Sequence, residues 1–224
     1  MTAERDRGDV APSRRWGRTA ETRRAFLDAA RAVFTEQGFS NATVTDVVSR
    51  ANASNGSLYH HFGGKSELFL ALWQEYQQGQ EERATARVAE ARAAGAAEPI
   101  ALFAAGARGF LEGNWVNRDL TRLFSDGDGP PGFEILRRTR GREWTRQNAV
   151  LLDADDTPLD RVIVLILGSI VGDVGREVAE CGSRAEAYAL IDEVVDYVAR
   201  LELRPPAKAR RRPSRSARSS AANS

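Results

Sequence analysis

Two short helices separated by a three-residue break, between residues 43 and 62, constrain this chain more than any other feature. Thr43-Val44-Thr45-Asp46 has the capping pattern of a helix start: the threonine oxygen accepts a backbone N–H, and Asp46 lies close to the positive end of the helix. Val44, Val47, Val48 and Ala51 recur at helical spacing and form its buried side. Asn52 follows, a residue that tolerates the left-handed backbone of a tight turn. Ser54 caps a further helix over residues 55–62, and Gly63-Gly64 stops it. This spacing is that of a helix-turn-helix.

The surroundings are helical as well. A helix over 19–38 is expected, with Thr19 or Thr22 as cap, an apolar face of Phe26, Ala29, Ala30, Val33 and Phe34, and Gly38 as its stop. A long helix opens at Lys65 and runs to about residue 94. Further helices are expected over 99–114, 117–124, 133–152, 159–180 and 184–203, separated by turn residues at 125–132, 153–158 and 181–183. No strand alternation and no internal repeat is present. The expected fold is all-α with about nine helices: an N-terminal three-helix helix-turn-helix domain (19–64) joined to an α-helical ligand-binding and dimerisation domain (65–203). Residues 1–18 form a disordered basic arm on this reading, and 204–224 a disordered basic tail.

Charge and composition narrow the function classes. The overall charge of +1 conceals +3 over residues 1–66, −9 over 67–203 and +7 over 204–224. A basic front and tail on an acidic body suit ends that approach a polyanion, and equally suit a solubilising tail. No apolar run approaches the ~20 residues of a membrane span. The polar, Arg-rich start does not resemble a secretory signal. The single cysteine, Cys181, forms no intrachain disulfide, so a cytoplasmic protein without membrane association is expected. There is no Ser/His/Asp set, no glycine-rich phosphate loop and no His/Glu metal cluster, so neither an enzyme nor a cofactor is expected. His60 and His61 are adjacent on a helix and diverge by about 100°, which argues against a shared metal.

The stretch from Ala42 to Leu68, with Gly56-Ser-Leu-Tyr-His-His-Phe62 and Lys65 at its centre, resembles the DNA-binding signature of the TetR (tetracycline-repressor-like) family. The segment from Ala29 to Phe39 is similar to that family's first helix. The resemblance covers about residues 20–70. It departs from the family at Val48, usually small, at Asn52-Ala53, usually Gly-Val, and at Asn55, often Lys; the last bears on base preference. It implies a transcriptional regulator, by default a repressor, that binds a palindromic double-stranded DNA operator as a homodimer and is released by a small effector.

The residues suit that role. Ser54, Asn55, Gly56 and Ser57 stand at a helix N-terminus, where N–H groups favour anions. Asn55 matches the bidentate pattern of adenine, and Gly56 lets the backbone approach. Tyr59, His60, Lys65, Thr43 and Thr45 suit phosphate and sugar contacts. Leu58 and Phe62 are core anchors, and Tyr59 has a second reading as core with a wet hydroxyl. Arg14, Arg15 and Arg18 either follow the minor groove or belong to a solvated arm.

In the body, Val162, Ile166, Ile170 and Val174, with Ile191, Val194 and Val198, give the last two helices more apolar surface than one neighbour covers, and the family implies a four-helix dimer interface there. Phe103, Phe110, Trp115, Phe124, Phe133 and Trp144 line an effector pocket on the family analogy, with Arg108, Asn114, Arg137, Arg140 or Asn148 as polar anchors; an ordinary helical core is the alternative. The effector is expected to be mostly apolar. A helical adaptor that keeps the fold without sequence-specific DNA binding is the rival reading.

Overall fold

The computed structural model describes residues 12–201, with side chains from residue 19 onward. Among the described residues there are nine helices and no strand: α1 (Pro12–Asn41), α2 (Val44–Arg50), α3 (Asn55–Phe62), α4 (Lys65–Ala93), α5 (Pro99–Val116), α6 (Arg118–Ser125), α7 (Phe133–Leu151), α8 (Pro158–Glu180) and α9 (Arg184–Ala199). The first helix starts at Pro12, seven residues before the expected cap, so the arm is helical from there. Proline is suited to a first turn because its missing N–H has no helical partner to lose. Thr19 and Thr22 are therefore interior to α1. The side chains of Arg14, Arg15 and Arg18, and the tail 204–224, lie outside the described residues. Gly38 breaks α1 at φ 78° and ψ 166°, where the sequence reading placed a stop.

Local caps set the other boundaries. Thr43 and Asp46 form a reciprocal capping box at α2. At its other end Asn52 adopts φ 51°, and the N–H groups of Asn52 and Ala53 reach the carbonyls of Ser49 and Val48. That is a Schellman closure with asparagine in the left-handed position. Ser54, Thr157 and Ser183 cap α3, α8 and α9 through their hydroxyls.

Two cores result. The first joins α1, α2, α3 and the start of α4 through Phe26, Phe34, Val47, Leu58, Leu68 and Phe69, and it continues into Leu120, Leu123 and Phe124 of α6 and Phe133 of α7. The second joins α5, α8 and α9 around Leu111, Leu167, Val171, Val178, Ile191 and Val198. Ile191 and Val198 are thus buried within the protomer, which corrects their placement on a dimer face. They occupy the stripe of α9 that covers α5 and α8, leaving Tyr197 outward at 69% exposure.

The α4–α5 pair is held unusually close by glycine. A Cβ on Gly109 would overlap the Arg83 carbonyl, and one on Gly113 would overlap the Gln80 carboxamide. Helix propensity alone favours alanine over glycine by about 1 kcal/mol. Gly109→Ala is nevertheless expected to destabilise by about 1–3 kcal/mol, because the neighbour is backbone and cannot yield. Gly141→Ala, where a Cβ meets nothing within 4 Å, is expected to stabilise slightly. Chemical denaturation of both variants checks the contrast.

Candidate nucleic-acid interface and ligand cavity

The third helix is anchored by one fully buried side chain, Leu58, and by Phe62, whose ring meets Phe26 edge-on at 6.0 Å. Everything else at its leading end faces out. Asn55, Gly56 and His60 are exposed, Tyr59 is 55% exposed, and Ser57 is half-buried. Ser54 Oγ accepts the Ser57 N–H at 3.2 Å, so the cap is closed while the first N–H groups of the helix keep their outward aim. Thr45 is exposed on α2. The Thr43 hydroxyl is occupied: it donates to Asp46 at 2.6 Å and accepts the Asp46 N–H at 3.2 Å. The Thr43 hydroxyl, and after it the Thr43 N–H at 2.9 Å, hold the Asp46 carboxyl below its ordinary range. His61 turns toward the core, 6.1 Å from the Phe26 ring.

Lys65 departs from its expected place on a phosphate. Its Nζ donates to the carbonyls of Phe39 and Ala42, each at 2.8 Å, and lies 4.3 Å from the centre of the Phe39 ring. Main-chain oxygens left open where α1 ends attract the ammonium more closely than solvent does. Lys65 therefore ties the start of α4 to the α1–α2 corner.

Three further ties bind the N-terminal module to the body. Arg24 reaches Glu75 at 2.5 Å. Arg31 grips Asp119 of α6 through two bonds, of 2.7 and 2.6 Å. Asp128, in the α6–α7 connection, accepts from the Ser40 hydroxyl at 2.5 Å and from its N–H at 3.0 Å. The Asp128 carboxyl is lowered chiefly by that hydroxyl. Partial burial by itself would raise Asp119, but the Arg31 guanidinium outweighs it and the net shift is downward.

A cavity of about 1040 Å³ lies between α4, α5, α6, α7 and α8. Phe103, Phe110 and Trp144 line it as expected, the last two with ring centres 5.6 Å apart. Trp115, Phe124 and Phe133 do not. Phe124 and Phe133 pack on Phe69 at 5.3 and 5.0 Å in the first core, and Trp115 lies under the Arg118 guanidinium at 4.6 Å. Of the expected polar anchors, Asn114, Arg137, Arg140 and Asn148 line the cavity, whereas Arg108 is spent on Asp192 at 2.6 Å. Tyr76 and Thr121 also line it, two polar groups that the sequence does not mark as such. The Tyr76 hydroxyl donates to Asn114 Oδ1 at 2.8 Å and lies 3.0 Å from the Thr121 hydroxyl, and burial pushes the phenol up. Tyr76 sits on the apolar stripe of α4, where periodicity marks a ring but not what its hydroxyl meets.

Residues 26–72 match the family described as bacterial regulatory proteins, tetR family. Over 54 residues the chain is 43% identical to the HTH-type transcriptional repressor AcnR of Corynebacterium efficiens and 37% identical to the HTH-type transcriptional regulator AcrR of Shigella flexneri. Each match covers 24% of this chain, and the chain spans only 29% and 25% of those relatives. A crystal structure of a TetR-like transcriptional regulator from Rhodococcus sp. RHA1 superposes with a TM-score of 0.60 at 24% identity, over 80% of this chain and 93% of that one. The N-terminal module is similar to those of these helix-turn-helix regulators, and 80% of the chain shares the fold of the Rhodococcus protein. The resemblance at the level of sequence is thus to the DNA-binding segment of the TetR family, over residues 26–72.

The Arg31–Asp119 pair lends itself to a thermodynamic cycle. Arg31→Ala and Asp119→Ala together are expected to cost less than the two single losses added, leaving a coupling of about 0.5–1 kcal/mol at neutral pH. Asp119 has a lowered carboxyl, so the coupling is complete above the unfolded value of ~3.9 and fades as pH falls through the lower folded one. Urea unfolding at neutral and acidic pH measures both.

Proposed function

We propose that this chain is a DNA-binding transcriptional repressor that works as a two-fold dimer on a palindromic operator and is released when a small molecule occupies the α4–α8 cavity. One observation carries the reading: the tip of α3, with Asn55, Gly56, Tyr59 and His60, stands clear of the protein, the helix being anchored behind it by Leu58 and Phe62. A two-turn helix so presented fits a major groove. Asn55 reads an adenine edge, while Tyr59, His60 and Thr45 position the backbone. The relatives matched over this module carry repressor and regulator names.

Dimerisation is supported by the outer face of α8. Leu159 is 61% exposed, and Val162 and Ile166 are also exposed, with Ile170 and Val174 half-buried beside them. On α9, Tyr197 is exposed and Val194 is half-buried. An apolar strip of this kind on a folded protein calls for a partner surface, and a second copy supplies an identical one. Two recognition helices related by a two-fold axis match a palindrome. Among the described residues no helix is long and apolar enough to cross a membrane, which is compatible with a cytoplasmic regulator.

A gel-shift titration against the chain's own upstream region tests this. Wild-type protein is expected to retard the duplex, with affinity falling steeply as salt rises. Asn55→Ala relaxes preference at one base pair per half-site, by about 1–3 kcal/mol. Tyr59→Ala weakens every sequence alike. The pair Val162→Asp and Ile166→Asp yields a folded monomer in sedimentation that no longer retards. Salt-insensitive behaviour, or no retardation by a folded dimer, favours a protein-interaction module instead.

A further inference from the structure

The cavity has an uneven chemistry. Phe103, Phe110 and Trp144 give it an apolar interior, joined by Leu151 and Val171. Its charged lining is almost all of one sign. Arg137 and Arg140, half-buried on successive turns of α7, face it, and Arg92, Arg138, Arg142 and Arg176 stand exposed around its opening. Glu81 is the one acidic residue in the lining, and it is already occupied by Arg140 at 2.5 Å and Gln147 at 3.2 Å. Acids outside the lining pair with some of these arginines: Glu134 with Arg137 and Arg138, Glu143 with Arg140, and Asp173 with Arg176. Arg92 and Arg142 have no ion-pair partner among the described residues. Even with all those acids counted, two positive charges remain.

One donor is conspicuous. Arg140 places Nη2 on Glu81 and Nη1 on Glu143 at 3.1 Å, but its Nε–H is buried with no acceptor. Buried N–H groups are nearly always paired, so this one gains an acceptor when a ligand in the adjoining cavity draws the Arg140 guanidinium toward it. A carboxylate supplies two oxygens, one for the Arg140 Nε–H, whose Nη groups are already engaged, and one for the Arg137 guanidinium. A cationic ligand would meet six guanidinium groups and no free carboxylate. A small inorganic anion would leave the aromatic interior unfilled.

We propose that the cavity takes an amphipathic organic anion, with a carboxylate against Arg140 and Arg137 and an apolar body against Phe103, Phe110 and Trp144. The proposal names the ligand class for the effector site of the regulator reading, and it rests on that reading only for its biological role. The exposed arginines draw the anion to the opening, and the desolvated walls retain its apolar part. Arg137 Nη1 also donates to the Phe124 carbonyl at 3.3 Å, so the head group sits beside the α6–α7 segment that is tied to Ser40.

Calorimetric titration of the full chain with decanoate, 2-naphthoate, decanol and decyltrimethylammonium, below any micelle threshold, tests the proposal. Saturable binding of decanoate or naphthoate, one per chain and at least tenfold tighter than decanol, is expected, with no binding of the cation. Preference for the chain acid or the aryl acid identifies the body, and either supports the class. Arg140→Gln is expected to weaken the carboxylate at least tenfold and leave decanol unchanged. Equal binding of acid and alcohol, preference for the cation, or no carboxylate binding overturns the proposal without recourse to any variant. DNA retardation is followed in parallel. A chain that retards DNA and ignores carboxylates loses only this inference, whereas one that binds carboxylates and ignores DNA loses only the regulator reading.

Discussion

The packing of Phe69 decides how this molecule is divided. Its ring is fully buried at the start of α4, with the rings of Phe34 and Phe39 at 5.5 and 5.0 Å on the module side and those of Phe124 and Phe133 at 5.3 and 5.0 Å on the body side. The module of α1–α3 is small, and one longer helix with two short ones buries too little surface to stand firmly alone. It borrows Leu120, Leu123, Phe124 and Phe133 from the body to complete its core. The sequence boundary between residues 64 and 65 therefore separates motifs but not cores.

That shared core gives α6 two duties. Its Leu120, Leu123 and Phe124 belong to the module's interior, and its Asp119 holds Arg31. Its Thr121 and Ser125 face the cavity, where Thr121 joins Tyr76 and Asn114 in a buried polar cluster. A shift of α6 in response to a cavity occupant must disturb packing around Phe69 and the tie to α1. The end of α1 and the start of α4 are in turn clamped by Lys65 and by the Asp128–Ser40 contact. In the proposed regulator, these contacts are the elements whose two arrangements would carry coupling between ligand and DNA.

Much of this was legible in the sequence, because helix ends are set by local chemistry. Thr43 with Asp46, Ser54, Asn52 in the left-handed position and Gly38 all stand where the residue types required. The outward tip of α3 was legible for the same reason, its polar run being interrupted only by Leu58. What escaped was tertiary. Periodicity marks Phe124, Phe133, Ile191 and Val198 as buried, but it does not say which neighbour covers them, so aromatic residues of the module's core passed for pocket wall and two core residues of α9 for a dimer face. Lys65 has the composition of a phosphate contact, and only the position of the Phe39 and Ala42 carbonyls draws it inward. The start of α1 was placed late because threonines at 19 and 22 are good caps wherever they occur.

Hydrogen-exchange mass spectrometry on the full chain, with and without duplex from its upstream region, addresses the central claim directly, since it reports where DNA touches. The account predicts slowed exchange at the start of α2 and over residues 54–60, with the outer face of α8 unchanged. Unaltered exchange across α3, with protection confined to another surface, would contradict it.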